Sequence, residues 1–130
     1  MASRFGEPLF VISVAARLLE MHPQTLRKYE REGLVAPSRT AGKLRLYSDH
    51  DIERLRQIKY LVDQRGLNLA GVQLALELTR RLRELRAAYA VPDQTRLNGN
   101  DGAGDLRREL DVVLAMLGFI DEPSARRREP

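Results

Sequence analysis

The segment Pro23-Gln24-Thr25-Leu26-Arg27-Lys28-Tyr29-Glu30-Arg31 concentrates side chains able to read the edges of nucleic-acid bases. Glutamine pairs bidentately with adenine, arginine with guanine, and threonine offers a hydroxyl or a methyl contact. At helical spacing Leu26 faces inward, while Gln24, Thr25, Arg27 and Lys28 stand on the outer face. They lie near the N-terminal end, where a recognition helix meets the major groove. These four are the expected base-reading residues. Tyr29 is amphipathic, so its ring can pack while its hydroxyl reaches a phosphate. Arg39, Lys43 and Arg45 follow at a short distance and are expected phosphate clamps, contacts that fix register without carrying sequence information. Ser13 and Arg17, just before the segment, join that phosphate set. A solvated basic helix with Tyr29 as a core anchor is the plainer alternative; the second group of cations favours DNA.

Local signals place these residues on short elements. Ser13 precedes Val14-Ala15-Ala16-Arg17-Leu18-Leu19-Glu20 and is expected to cap a first amphipathic helix. His22-Pro23 interrupts it, because the residue before a proline is pushed out of helical geometry and proline suits a first helical position. The second helix is expected from Gln24 to Glu32, with Gly33 as its stop. Two short helices across so tight a turn make a helix-turn-helix. Leu34 to Tyr47 then holds two extended pieces around Thr40-Ala41-Gly42, a small β-hairpin or wing. Arg45 and Tyr47 share one face of it, Leu44 and Leu46 the other. Ser48 opens a third helix, Asp49 to Gln64, with the stripe Ile52, Leu55, Ile58 (or Lys59) and Val62; Arg65-Gly66 closes it.

Asn68 caps a fourth helix running to about Tyr89. Within it Gly71, Ala75, Leu78, Leu82, Leu85 and Tyr89 recur at alternating four- and three-residue steps, a coiled-coil seam. Val91 to Gly104 is rich in Pro, Asn, Asp and Gly and reads as a linker. A last helix, Asp105 to about Ile120, repeats the seam with Leu106, Leu110, Val113, Leu117 and Ile120. The expected fold is mainly α: a winged helix-turn-helix with a small hairpin wing and C-terminal coiled-coil dimerisation helices. The expected segments are an arm (1–10), a DNA-binding domain (11–78), a coiled-coil helix (79–90), a linker (91–104), an amphipathic helix (105–120) and a tail (121–130). Leu78, Leu82, Leu85, Tyr89, Leu110, Val113 and Leu117 are the expected dimerisation residues, since a helix-turn-helix protein ordinarily needs two half-sites for affinity.

Composition narrows the chemistry. The chain has 130 residues and a formal net charge of +4. Residues 1–86 hold 16 basic and 10 acidic side chains, whereas 87–130 hold 6 and 8. The basic excess therefore lies where a polyanion would be met. There is no cysteine, which removes disulfides, thiolate metal ligands and thiol redox sensing. His22 and His50 lack ligand-spaced companions, so no metal and no cofactor is expected. Asp49, Asp51 and Glu53 sit at a helix start, where they complement the helix dipole. Gly99 to Gly104 lacks the strand and Lys-Ser/Thr of a phosphate loop. No nucleophile–base pair is found, and an enzyme is not expected. No apolar run approaches the ~18 residues of a membrane span, and the start of the chain lacks a secretory layout. The cytoplasm is the expected location.

The runs Ile12-Ser13-Val14-Ala15-Ala16, Thr25-Leu26-Arg27-Lys28-Tyr29-Glu30, Gly33-Leu34-Val35, Arg39-Thr40-Ala41-Gly42 and Arg45-Leu46-Tyr47-Ser48 resemble the MerR family of regulators. They cover roughly residues 10–78 in family order. Within that family, Met21 to Arg27 and Gly66-Leu67-Asn68-Leu69-Ala70-Gly71-Val72 resemble the HspR-type heat-shock repressors. The resemblance implies a winged-helix dimer on an inverted repeat, repression of chaperone operons, and the Hsp70 chaperone DnaK as co-repressor. It also implies that Gln24, Thr25, Arg27 and Lys28 enter the major groove, and that Tyr29, Arg39, Arg45 and Tyr47 hold the DNA backbone. Lys28 stands where many members carry an aromatic residue, and Lys43-Leu44 replaces a more Gly-rich wing tip.

The expected function is thus a dimeric repressor of heat-shock genes acting on double-stranded DNA, without a small-molecule ligand or a membrane. Two alternatives stand beside it. One is a ligand-responsive MerR-type activator, disfavoured because so short a C-terminal segment makes a poor pocket. The other is an architectural DNA-bending or protein-scaffold factor, for which the coiled-coil seams would serve.

Overall fold

The computed structural model describes residues 8–89 and 102–120. The arm before Pro8, most of the expected linker and the tail 121–130 lie outside the described residues. The chain divides into two compact units, one ending at Tyr60 and one beginning at Leu61. As expected from the sequence, the structure is mainly helical with a small antiparallel sheet.

The first unit holds β1 (Pro8–Val11), α1 (Ile12–Leu19), α2 (Pro23–Arg31), β2 (Ser38–Arg39), β3 (Arg45–Ser48) and most of α3 (Asp49–Asp63). The strand order is β1-β3-β2, so the wing hairpin of β2 and β3 gains a third strand. Phe10 pairs with Tyr47 and Val11 with Leu46, after an irregularity that follows the Pro8–Ser48 pair. On its other edge β3 pairs Leu46 with Ser38 and Arg45 with Arg39. Residues 8–10, expected within an arm, are thus strand. Their partner lies some forty positions away, so nothing local announces it.

The helix boundaries follow local chemistry, with one correction. Ser13 does not cap α1: the cap position is Val11, without a side-chain bond, and Ser13 lies exposed inside the helix. The chain enters α1 directly from β1, which leaves no turn for a serine cap. For α2 the cap is His22, whose Nδ1 accepts from the Gln24 backbone N–H at 3.0 Å. Pro23 fills the first turn, where a missing N–H costs nothing. The helix ends at Gly33 with φ +79°, the left-handed geometry that favours glycine. Ser48 and Asp51 cap α3 reciprocally: Asp51 N–H donates to Ser48 Oγ at 3.0 Å, and Ser48 N–H to Asp51 Oδ2 at 2.9 Å.

Ala15, Ala16, Leu19, Leu26, Leu34, Val35, Tyr47, Ile52, Leu55 and Ile58 are buried in this unit. Each large aliphatic side chain among them contributes about 1.5–3 kcal/mol over exposure. Ile58, not Lys59, carries the stripe of α3. The Lys59 ammonium instead donates to the carbonyls of Leu19 at 3.0 Å and Glu20 at 3.4 Å, satisfying the end of α1. Arg54 Nε donates to Leu34 O at 2.5 Å, holding the chain just after α2.

The second unit contains the end of α3, α4 (Leu69–Ala88) and α5 (Gly102–Met116). Asn68 caps α4 by accepting from Gly71 N–H at 2.9 Å. Arg86 donates to Asp111 Oδ1 at 2.9 Å, joining α4 to α5, and Arg83 lies over the Phe119 ring, 4.6 Å from its centroid. The last helix starts and stops earlier than expected. Gly118, at φ +83°, turns the chain so that Phe119 N–H bonds to Leu114 O, which ends α5 at Met116 instead of Ile120. Among the described residues no helix is long and apolar enough to cross a membrane.

Candidate nucleic-acid interface

The outward face of α2 carries the residues its sequence promised. Leu26 is fully buried and fixes the rotation of the helix. Gln24 and Lys28 are exposed one turn apart, with Arg31 beyond them, while Thr25 and Arg27 are half-buried beside that face. On α1, Ser13 and Arg17 share an exposed face at the four-residue step. Tyr29 is half-buried. All seven expected contact residues, Ser13, Arg17, Gln24, Thr25, Arg27, Lys28 and Tyr29, belong to one compact unit, together with the wing.

The wing tip is a tight turn. Lys43 N–H donates to Thr40 O at 2.8 Å, and Leu44 N–H to Thr40 Oγ1 at 3.1 Å. Lys43 itself adopts φ +70°, a conformation glycine would take more readily. Lys43 and Leu44 are exposed, so the tip presents one cation and one apolar side chain.

Tyr47 departs from the role implied by the resemblance. It is 0% exposed and its hydroxyl is buried without a hydrogen-bond partner. Held there it cannot touch a phosphate. Burial, with the nearby Glu30 carboxylate, pushes its phenol above the ordinary range. Tyr47 acts here as a packing residue beneath the wing.

A residue not singled out in the sequence organises the site. Glu30, near the end of α2, accepts from Arg39 Nη2 at 2.5 Å through Oε2 and from Arg45 Nε at 2.6 Å through Oε1. One carboxylate thus holds α2, β2 and β3 together. Burial raises the Glu30 pKa, but the hydrogen bonds and charges of Arg45 and Arg39 outweigh it and leave the carboxyl below its ordinary value. The Arg45 guanidinium is correspondingly pushed up by its hydrogen bond to Glu30. Arg39 also donates from Nη1 to Lys43 O at 3.3 Å. The available signal was a lone acid on an otherwise cationic helix, facing two arginines whose distance in sequence hid the pairing.

The expected dimerisation residues divide between two environments. On α4, Leu78 and Leu85 are 45% and 44% exposed and align with Leu74 at 58%. Leu82 and Tyr89 are half-buried, in line with the buried Ala75 and Thr79. The single seam expected along this helix is therefore two stripes. On α5, Leu110 is only 6% exposed, alongside Leu114 at 1%, so it lies in the core of its own unit and is not open to a second chain. Val113 and Leu117 line an open hollow of about 380 Å³ with Leu61, Leu67 and Met116. Among the described residues no group of His, Asp or Glu is placed to hold a metal ion.

Residues 10–79 match the family described as MerR HTH family regulatory protein. The chain is 54% identical over 83 residues to a Streptomyces coelicolor protein bearing the name heat shock protein HspR, a match covering 64% of this chain and 55% of that one. The chain thus spans little more than half the length of that relative. It is 38% identical over 123 residues to the HTH-type transcriptional regulator GlnR of Bacillus anthracis, covering 95% of this chain and 90% of the relative. Over 69 residues it is 41% identical to the HTH-type transcriptional regulator MlrA of Escherichia coli, covering 52% of this chain and 28% of MlrA. An exposed, capped basic helix beside an arginine-bearing hairpin, matched over more than half the chain, leads to one conclusion: the protein belongs to the MerR family of helix-turn-helix transcriptional regulators.

Proposed function

We propose that the chain is a dimeric repressor of heat-shock genes that binds an inverted-repeat operator, with the DnaK chaperone as co-repressor. The observation that carries the DNA part is the exposed α2 face of Gln24 and Lys28, flanked by Thr25 and Arg27 and tied to the wing arginines. In this reading those four side chains meet base edges, while Ser13, Arg17, Tyr29, Arg39, Lys43 and Arg45 meet phosphates. Segment 11–78 is the DNA-binding domain and segment 79–90 the dimerisation segment, of which residues 79–88 lie in α4. The exposed stripe of Leu74, Leu78 and Leu85 supports pairing with a second copy, since a row of leucines in water is unfavourable. Likeness to HspR supports the heat-shock assignment, while DnaK comes from the resemblance of Met21 to Arg27 and Gly66 to Val72 to the HspR-type repressors.

Gel-shift with a chaperone-operon promoter, with and without purified DnaK, tests the reading. Retardation that needs the promoter sequence and tightens with DnaK is expected. Binding that ignores DnaK removes the co-repressor, and equal binding to unrelated DNA removes the operator.

A second reading has its own support. The match to GlnR covers 95% of the chain, whereas the match to HspR covers 64% of it. A MerR-type regulator of a different operon fits that extent. Recovery of genomic fragments bound by the protein separates the two: chaperone promoters favour the first, any other single promoter class the second.

A further inference from the structure

We propose that Glu30 is a positioning residue for DNA recognition: by gripping Arg39 and Arg45 with one carboxylate, it sets the wing against α2 and exchanges raw electrostatic affinity for discrimination between sequences. The inference rests on the reading of α2 and the wing as the DNA interface.

An acid among cations that face a polyanion weakens attraction, because non-specific affinity follows the number of phosphates neutralised. Glu30 is nevertheless fully engaged. Its two oxygens serve two different strands, and its side chain is only 19% exposed. Exposed ion pairs are ordinarily worth little, but a carboxylate bridging three elements at low exposure restrains their mutual position. The wing has need of such a restraint, since β2 is two residues long and pairs with β3 at Leu46 and Arg45 alone.

Donor accounting shows how the grip coexists with phosphate contact. A guanidinium has five N–H donors in a rigid fork. Arg45 gives Glu30 its Nε–H, which leaves both terminal nitrogens for a second acceptor. Arg39 gives one bond from each terminal nitrogen, to Lys43 O and to Glu30, and keeps a second N–H on each. Glu30 thus orients two forks without consuming them. A lysine at either position, with a single ammonium head, could not bridge carboxylate and phosphate in the same way.

The test uses the full chain, a duplex selected by the wild-type protein from random-sequence DNA, and a scrambled duplex of equal composition. Affinities are measured across a salt series, with thermal unfolding to verify folding. Glu30→Gln is expected to bind the scrambled duplex more tightly, while the ratio of selected to scrambled affinity falls by about tenfold, the scale of one lost contact. Glu84→Gln makes the same charge change on α4, where Glu84 pairs with Arg80 and Arg81, and should leave the ratio alone. Arg45→Lys, which keeps the charge but loses the fork, should lower the ratio as Glu30→Gln does, and the double variant should fall no further. An unchanged ratio in Glu30→Gln, a matching drop in Glu84→Gln, or additive losses in the double variant overturn the proposal while the DNA reading stands. A wild-type chain that selects no duplex and shows no salt-dependent affinity overturns both.

Discussion

Glu30 Oε1 accepts a hydrogen bond from Arg45 Nε at 2.6 Å across fifteen positions of sequence, locking the last turn of α2 to the central strand of the wing. Arg39 occupies the other carboxylate oxygen. The two phosphate clamps expected from the sequence are therefore held by a shared anion, so the pair of arginines brings one net positive charge to the site instead of two.

The triad has a pH signature. Glu30 is pulled below its ordinary 4.5 in the folded chain, against burial, by Arg45 and Arg39. A carboxyl lowered by folding stabilises the fold above its unfolded pKa, and that contribution is lost as pH falls through the folded value. Wild-type protein should be more stable than Glu30→Gln at neutral pH, and the difference should close as pH falls below 4.5. Thermal unfolding from neutral to acid pH measures it; a gap that stays constant, or widens in acid, contradicts the ion-pair assignment.

Tyr47 offers a second test, because its two candidate roles predict opposite results. The buried hydroxyl has no partner, and an unsatisfied buried polar group costs about 1–3 kcal/mol. Tyr47→Phe should therefore leave stability unchanged or raise it, and operator affinity should be retained. A several-fold loss of affinity in a stably folded Tyr47→Phe protein would restore the phosphate contact.

Arg27 and Arg45 should separate base reading from backbone holding. Arg27→Ala is expected to cost ~1–3 kcal/mol at one base position and relax specificity there. Arg45→Ala should weaken binding to every operator variant and flatten the salt dependence. A panel of single-base operator variants titrated with both proteins is sufficient. Equal effects of the two substitutions across the panel argue against these roles.

Association should depend on the outer stripe of α4. Leu78→Glu and Leu85→Glu place charge on a face that is already exposed in a single chain, so helical circular dichroism should persist. Burying each leucine against a second copy would contribute about 1.5–3 kcal/mol. Sedimentation equilibrium should show a shift to monomer in both variants, whereas Leu82→Glu, on the half-buried stripe, should unfold the second unit first. A wild-type chain already monomeric at micromolar concentration removes the dimer.

What the sequence determined by itself was the work of neighbours in the chain. Pro23 after His22, Gly33, the Ser48–Asp51 cap and Asn68 each mark a helix end through bonds spanning three residues or fewer. The three- and four-residue spacing of Leu26, Leu55 or Leu110 says which side of a helix turns inward. From these alone the helix-turn-helix, the hairpin and the exposed Gln24–Lys28 face could be drawn. Tertiary structure decided what depends on partners far along the chain. Residues 8–11 became a strand because β3 offered an unpaired edge, and that same direct passage into α1 displaced Ser13 from its cap. Tyr47 went inward because it packs in the core of the first unit, with no exposure at all. Glu30 found its arginines, and the seam of α4 split once α5 covered one side of it. Strand pairing, burial and ion pairing depend on distance in space, and a linear pattern records only distance along the chain.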